Sequence, residues 1–262
     1  MTDAVRVQRD GPVARITLDR PERHNAMHGP MWTALREVAE GLAADPPRAV
    51  VLVGAGPHFC SGMDLSPANP LLARLAPAVM GRDADALRAV IRELKATVDA
   101  VAAIPVPVVA ALEGSCLGGG LEVALAADLR VAGQGARFSL PETRWGMVPD
   151  VGGTVRLSRL VGRARAAQLA LTAATIDAQR AESWGLVNEV VPDGQALARA
   201  EGLARQIAAQ APTATREALA VLRSWPGDDR FGDETEAGVR ALLSGEVLEG
   251  LQAFAQKREA RW

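Results

Sequence analysis

A glycine cluster followed by an acidic residue is the stretch of this chain best suited to chemistry. Gly118, Gly119 and Gly120 separate an apolar segment from a helical pattern, and Glu122 comes two residues after the last glycine. Glycines at such a junction let a ligand oxygen approach the unpartnered N–H groups of a helix start, and the first turn of a helix favours a carboxylate. The stretch predicts either an oxyanion site beside a titratable acid, or a tight connection in which Glu122 only stabilises the helix.

Two more acidic residues lie in the segment PETRWGMVPDVGG at 141–153. Glu142 has a structural interpretation as a turn residue after Pro141. Asp150 has one as the N-cap of the helix that follows it. Placed with the glycine cluster and Glu122, both residues are also candidates for a functional site.

The elements that must position these residues follow from hydrophobic periodicity. Alternation around Asp10 and Gly11 predicts a β-hairpin of residues 5–9 and 13–18. Prolines and glycines between residues 66 and 81 predict an irregular, mobile segment. Short apolar runs predict further strands, and 3.6-residue periodicity predicts helices. The predicted strands are 49–54, 108–112, 129–132, 137–140 and 187–191, and the predicted helices are 30–44, 83–103, 121–127, 154–161, 163–171, 178–185, 195–210, 212–223 and 234–258.

Repeated units of strand, loop and helix precede a purely helical end of the chain. This order predicts an α/β core over residues 1–194 and a C-terminal helical region over residues 195–262. A length of 262 residues suits one large domain with such an appendage.

Composition excludes several classes of protein. Apolar residues make up 48% of the chain and charged residues 23%, as in soluble globular proteins. No apolar run approaches the roughly 20 residues of a membrane span, and the first residues lack the pattern of a signal peptide, so we expect a cytoplasmic protein. A net charge of −2 argues against nucleic-acid binding.

The cysteines, histidines and basic residues further limit the kinds of binding and catalytic site that the chain can form. Cys60 and Cys116 are the two cysteines, and we expect them to be small buried hydrophobes. Three histidines without metal-ligand spacing predict no metal site, and neither His28 nor His58 has an evident partner. Because only two of the 29 basic residues are lysines, any phosphate recognition must depend mainly on arginine.

Six segments occur in the order that one known family shows. They are RPERHNAM, FCSGMDL, ALEGSCLGGGLEVALAADLRVA, FSLPETRWGMVPDVGGTVRLSRLVG, ESWGLVNEVVP and FAQKR. Over residues 5–258 the chain resembles the crotonase, or enoyl-CoA hydratase/isomerase, superfamily. The resemblance implies an α/β crotonase-like spiral of ββα repeats with a C-terminal α-helical trimerisation region. It also implies a homotrimer or dimer of trimers that binds acyl-CoA, with coenzyme A as part of the substrate and no tightly bound cofactor.

The resemblance also implies roles for individual residues. The backbone N–H groups of Met63 and Gly119 would polarise the thioester carbonyl, Glu142 would exchange the proton at Cα, and Glu122 would hold and activate water. Asp150 departs from typical hydratases, which have a small residue there, and resembles isomerases that have an aspartate. Asp64 would brace the oxyanion loop. The residues implied to contact coenzyme A are Arg23, His24, Ala26, Cys60, Ser61, Gly62, Asp64 and, from a neighbouring subunit, Lys257.

The leading interpretation is an enoyl-CoA hydratase that adds water across the 2,3 double bond of a trans-2-enoyl-CoA thioester. The alternative is an enoyl-CoA or dienoyl-CoA double-bond isomerase that uses Asp150 with Glu142. A third interpretation, a protein that kept the fold only for binding, conflicts with the presence of both glutamates and the lack of basic excess.

Overall fold

The first elements that the structure describes form a β-hairpin. Its second strand begins the parallel part of a larger sheet. The computed structural model describes residues 4–224 and 234–262, and the side chains at 234, 254 and 255 lie outside that description. The FAQKR motif is therefore described only in part. The strands are β1 (Val5–Asp10), β2 (Val13–Leu18), β3 (Ala49–Gly54), β4 (Val108–Leu112), β5 (Ser115–Leu117), β6 (Leu129–Gly133), β7 (Arg137–Ser139), β8 (Thr175–Asp177) and β9 (Glu189–Val191).

These strands form two separate sheets. The larger has the order β1-β2-β3-β4-β6-β9, and the smaller has the order β5-β7-β8. Strand β1 is antiparallel to β2, and β8 is antiparallel to β7, whereas all other pairs are parallel. Because β4 lies in the large sheet and β5 in the small one, the turn at Gly114 takes the chain from one sheet to the other, directly before the glycine cluster.

Helices cover both faces of the large sheet. They are α1 (Gly29–Ala44), α2 (Pro70–Met80), α3 (Ala84–Ala102), α4 (Gly119–Ala124), α5 (Gly153–Val161), α6 (Arg163–Thr172), α7 (Ala178–Trp184), α8 (Ala196–Ala208), α9 (Pro212–Arg223), α10 (Glu234–Leu243) and α11 (Glu246–Gln256). None of those in the described residues combines the length and the apolar character that crossing a bilayer requires.

The helix α8 belongs to the core rather than to an appendage. Its alanines at 196, 200, 204 and 208 are buried against the face of the sheet that carries Val51, Val53, Val109 and Val131. Small side chains four residues apart form one stripe of the helix, which allows its backbone to lie close to the sheet. The predicted division after residue 194 is therefore not a break in packing, and α9, α10 and α11 pack chiefly on one another.

Most predicted elements are present, and the differences have local causes. The prediction of irregular structure at 66–81 is wrong for residues 70–80, which form α2. Pro70 stands at the start of this helix, where proline is tolerated, and the side chain of Asn69 accepts a hydrogen bond from Leu71 N. The predicted helix at 234–258 is interrupted near Gly245, whose φ is 81°. Strands β5 and β8, of three residues each, are absent from the predicted elements.

Candidate active site

Two loops lie side by side at the start of α4. Cys60 N donates to Ser115 O over 2.9 Å, and Leu117 N donates to Cys60 O over 3.0 Å, so the chain near 60–63 runs parallel to the chain near 115–119. A Cβ placed on Gly119 would lie 4.0 Å from Met63 N. Neither Met63 N nor Gly119 N donates a hydrogen bond to any residue in the part of the chain that the structure describes. The two amides are thus close together and both available to a ligand oxygen.

A partly buried ion pair holds the first of these loops. The guanidinium of Arg20 lies 3.1 Å from Asp64 Oδ2 and also donates to the carbonyl of Ala26. Burial opposes ionisation of Asp64, but hydrogen bonds from Ser66 and Arg20 keep the pKa of this carboxyl below its ordinary value. The bracing role that the resemblance implied for Asp64 suits this geometry. Sequence reasoning missed Arg20, whose partner is 44 residues away.

Asn25 is a second anchor that the sequence analysis missed. It is wholly buried, its Nδ2 donates to the carbonyls of Ala55 and His58, and its Oδ1 accepts from Arg20 N. These bonds fix the loop that precedes α1 against the end of β3. His58 also has a partner, contrary to the sequence analysis, since its Nδ1 accepts a hydrogen bond from Ser115 N over 3.0 Å.

Glu122 is buried at the start of α4, with 3% of its surface exposed. Its Oε1 accepts hydrogen bonds from Val151 N over 3.1 Å and from Gly153 N over 2.8 Å. These donors belong to the start of α5, whose N-cap is Gly152. The prediction that Asp150 caps this helix is wrong, because Asp150 lies two residues before the N-cap and Glu122 supplies the acceptor instead.

Glu142 packs against Gly118, the first residue of the glycine cluster. It begins a 3-10 helix, Glu142–Trp145, directly after β7. A Cβ on Gly118 would lie 2.8 Å from Glu142 Oε1, and Gly118 has a φ of 52°, so only glycine suits this position. The other oxygen, Oε2, is buried without a hydrogen-bond partner among the described residues.

All three carboxyls have a raised pKa. Burial, together with the charges of Glu142 and Asp150, raises the pKa of Glu122 to about 8, although the N–H groups of Gly153 and Val151 act in the opposite direction. Burial and the charge of Asp150 raise the pKa of Glu142, and burial raises that of Asp150. Within residues 4–224 and 234–262, no basic side chain forms a salt bridge with any of the three. The cluster can therefore retain a proton at neutral pH.

Comparison with known protein families identifies the family of this chain. The profile of the enoyl-CoA hydratase/isomerase family matches residues 8–262. The chain belongs to the enoyl-CoA hydratase/isomerase family. The predicted membership of the crotonase superfamily is thus confirmed.

Individual members of the enoyl-CoA hydratase/isomerase family are similar to this protein over nearly its whole length. Enoyl-CoA hydratase EchA19 of Mycobacterium tuberculosis is 34% identical over 260 residues, which cover 96% of this chain and 93% of the relative. Carnitinyl-CoA dehydratase of Salmonella heidelberg is 35% identical over 272 residues, covering 100% of this chain and 99% of that protein. The crystal structure of an enoyl-CoA hydratase from Bacillus anthracis superposes with a TM-score of 0.88 at 32% identity, with 99% of each chain covered, which confirms the predicted crotonase fold.

The residues that the resemblance implied for coenzyme A lie mostly on two paired loops. Ser61 N donates to His24 O over 3.0 Å, and Met27 N donates to Gly62 O over 2.8 Å. This pairing brings together Arg23, His24, Ala26, Ser61, Gly62 and Asp64. Arg23 and His24 are exposed, and so is Lys257 near the end of the chain.

Cys60 differs from the other residues implied to contact coenzyme A. It has no exposed surface, its Sγ lies 3.1 Å from Asn25 O, and burial raises the pKa of its thiol to about 12. Cys116 is buried beside it, so both cysteines are small buried hydrophobes, as predicted. Cys60 therefore packs beneath the surface of the loop and has no exposed atom that could contact a nucleotide. Among the described residues, no group of three or more His, Cys, Asp or Glu side chains could hold a metal ion.

Proposed function

We propose that this protein is an enoyl-CoA hydratase that adds water across the 2,3 double bond of a trans-2-enoyl-CoA. One observation carries the proposal: two carboxyls with raised pKa, Glu122 and Glu142, flank a glycine cluster beside two unpartnered amides. Such a site combines oxyanion stabilisation with paired acid and base groups.

The thioester oxygen would accept hydrogen bonds from Met63 N and Gly119 N. As water attacks Cβ, the electron pair of the double bond moves toward the carbonyl, and negative charge develops on this oxygen. Removing one such donor typically costs about 3 kcal/mol of transition-state stabilisation. Because both donors are backbone groups, the methionine at position 63 does not hinder this role.

Protons would pass through the two glutamates in opposite directions. In the reactive form of the pair, the one shared proton is on Glu142. Ionised Glu122 then takes a proton from the attacking water as its oxygen bonds to Cβ, and Glu142 gives its proton to Cα as the enolate collapses. Oε1 of Glu122 is held by Val151 N and Gly153 N, which leaves Oε2 for the water. The pair carries one proton before and after the reaction, so the net change is the addition of one water.

Product mass tests the proposed function directly. Incubation with trans-2-enoyl-CoA thioesters of several chain lengths is expected to give products heavier by one water. A product of unchanged mass but with a shifted double bond would identify an isomerase instead. No turnover of any enoyl-CoA or dienoyl-CoA would overturn both proposals.

The isomerase alternative depends on Asp150. Its charge contributes to the raised pKa of Glu122 and Glu142, which supports a role for it in the same site. An isomerase moves a proton between two carbons of the acyl chain without net uptake of water. Asp150 and Glu142 would then each serve one of the two carbons.

The variant Asp150→Asn separates the two proposals. For a hydratase, we expect hydration to stay within about threefold of wild type, because neither proton of the reaction passes through Asp150. Loss of this charge also lowers the pKa of Glu122 and Glu142, so the fall of activity at high pH moves to lower pH. A loss of about 10²-fold or more in double-bond migration would support the isomerase.

The pH dependence of turnover has a predicted sign. Glu142 must be protonated to act as an acid, and burial together with the charge of Asp150 raises the pKa of this carboxyl above its ordinary value. We expect kcat/KM for hydration to fall, by up to about tenfold per pH unit, as the pH rises above this raised pKa. A profile measured between pH 6 and 10 that is flat through pH 9 would contradict the acid role.

We also propose that the protein acts as a homotrimer or dimer of trimers in which a neighbouring Lys257 approaches the nucleotide of coenzyme A. The C-terminal helices support this proposal, because they expose large apolar side chains, among them Leu222, Leu242, Leu248 and Leu251. Exposed apolar patches of this kind usually mark interaction surfaces. The carrier of the acyl group, coenzyme A, enters as part of the substrate.

A further inference from the structure

The indole of Trp32 lies directly against the glycine that carries one of the two free amides. Trp32 is on α1 and has 3% of its surface exposed. A Cβ on Gly119 would lie 3.2 Å from its Cζ2 and 3.3 Å from its Cη2. The same Cβ would lie 4.0 Å from Met63 N. The six-membered ring of the indole therefore borders Gly119 on the side that faces the second amide.

Packing rather than hydrogen bonding holds this ring. Its Nε1 is buried without a partner in the described part of the chain, and a buried donor without a partner costs about 1–3 kcal/mol. The backbone instead anchors the residue, because Thr97 Oγ1 on α3 donates to Trp32 O over 3.2 Å. The indole matters because of its size: Cζ2 and Cη2, which lie where they would meet a Cβ on Gly119, are atoms that a phenylalanine lacks.

We propose that Trp32 is a positioning residue for the oxyanion site. Its ring fixes the direction of the Gly119 amide relative to Met63 N and fills the space beside Gly119 that water would otherwise occupy. The electrostatic effect of such a donor depends on alignment with the developing charge and on exclusion of water. This inference rests on the proposed function, since it assigns Gly119 N to the oxyanion.

The variant Trp32→Phe removes the contacting atoms while keeping an aromatic ring at the same position. We expect kcat for hydration to fall about 10-fold, part of the 10²–10³-fold effect of a whole oxyanion donor, with KM within about twofold. Leu35→Ala is the matched control, because Leu35 is wholly buried on the same helix. This control is expected to lower the melting temperature without a selective loss of kcat.

A double-mutant cycle with Gly119→Ala tests the contact itself. In the wild-type background the new methyl group meets the indole and displaces the amide, so kcat falls. In the Trp32→Phe background the methyl group has room, and Gly119→Ala is expected to cost at least fivefold less than it does beside tryptophan, a coupling of the kind seen between residues in contact.

The outcomes distinguish this inference from the proposed function. If wild-type protein turns over no enoyl-CoA, the proposed function fails before Trp32 is tested. If wild type is active but Trp32→Phe keeps its kcat, or if the two substitutions have independent effects, the positioning role is overturned. A Trp32→Phe protein that binds substrate normally, melts near the wild-type temperature and turns over slowly would support it.

Discussion

Replacing Glu142 by glutamine is expected to lower kcat for hydration by about 10²–10⁴-fold, the usual contribution of one general acid. Glutamine has nearly the same shape and still packs beside Gly118, but it cannot deliver a proton to Cα. The amides of Met63 and Gly119 remain in place to bind the thioester, so KM should change little. Steady-state kinetics on one enoyl-CoA substrate measure both constants.

Hydrogen exchange at Cα gives this variant a second and more specific measurement. With a saturated acyl-CoA in D₂O, wild type should exchange the Cα proton through Glu142 alone, and Glu142→Gln should not. The exposed Glu37 on α1 offers a control, since Glu37→Gln removes an equal charge far from the cluster in sequence and at the surface. Unchanged hydration by Glu142→Gln would refute the assignment of the acid.

Much of the fold that positions Glu122 and Glu142 could be predicted from local sequence signals. The hairpin of β1 and β2 follows from alternation around a turn, and the buried strand β4 follows from a short β-branched run before glycines. The glycine cluster also predicted close approach of a ligand oxygen to the backbone. The structure adds a further reason for one of these glycines, because a Cβ on Gly118 would lie 2.8 Å from Glu142 Oε1.

What could not be predicted depends on contacts between distant segments. The side chain that accepts hydrogen bonds at the start of α5 comes from no residue near α5, because it belongs to Glu122, about 30 positions earlier. The local sequence offered only Asp150 for this capping role, as an alternative to a catalytic one. Arg20 and Asn25 hold the oxyanion loop through partners more than 25 positions away, and periodicity contains no information about such pairs.

Opposing influences set the pKa of Glu122, which is raised to about 8. Burial and two neighbouring carboxylates favour its neutral form, whereas the two amides of α5 favour its charged form. A base needs access to both forms near neutral pH. The same two hydrogen bonds that fix α5 therefore keep Glu122 able to ionise, which links the local fold to the chemistry.

Glu122→Gln should also lower kcat by about 10²–10⁴-fold, since it removes the base that activates water. Unlike Glu142→Gln, this variant should still exchange the Cα proton of a saturated acyl-CoA, because that step passes through Glu142. The amide oxygen of glutamine can accept from Val151 N and Gly153 N, so the start of α5 keeps its cap. Loss of Cα exchange in this variant would show that the two glutamates do not have separate roles.

The same substitution has a predicted effect on stability, and its sign follows from the raised pKa. The folded protein holds a proton on Glu122 up to a pH of about 8, whereas the unfolded chain releases it near 4.5. Wild type therefore loses stability as the pH rises from 4.5 to 8, by at most about 1.4 kcal/mol for each pH unit. Because glutamine does not ionise, the melting temperature of Glu122→Gln should exceed that of wild type at pH 8.5 and approach it near pH 4.5. Glu122→Ala, which lacks the acceptor for α5, should be less stable than Glu122→Gln at every pH, and a pH-independent difference between wild type and Glu122→Gln would contradict the buried-proton assignment.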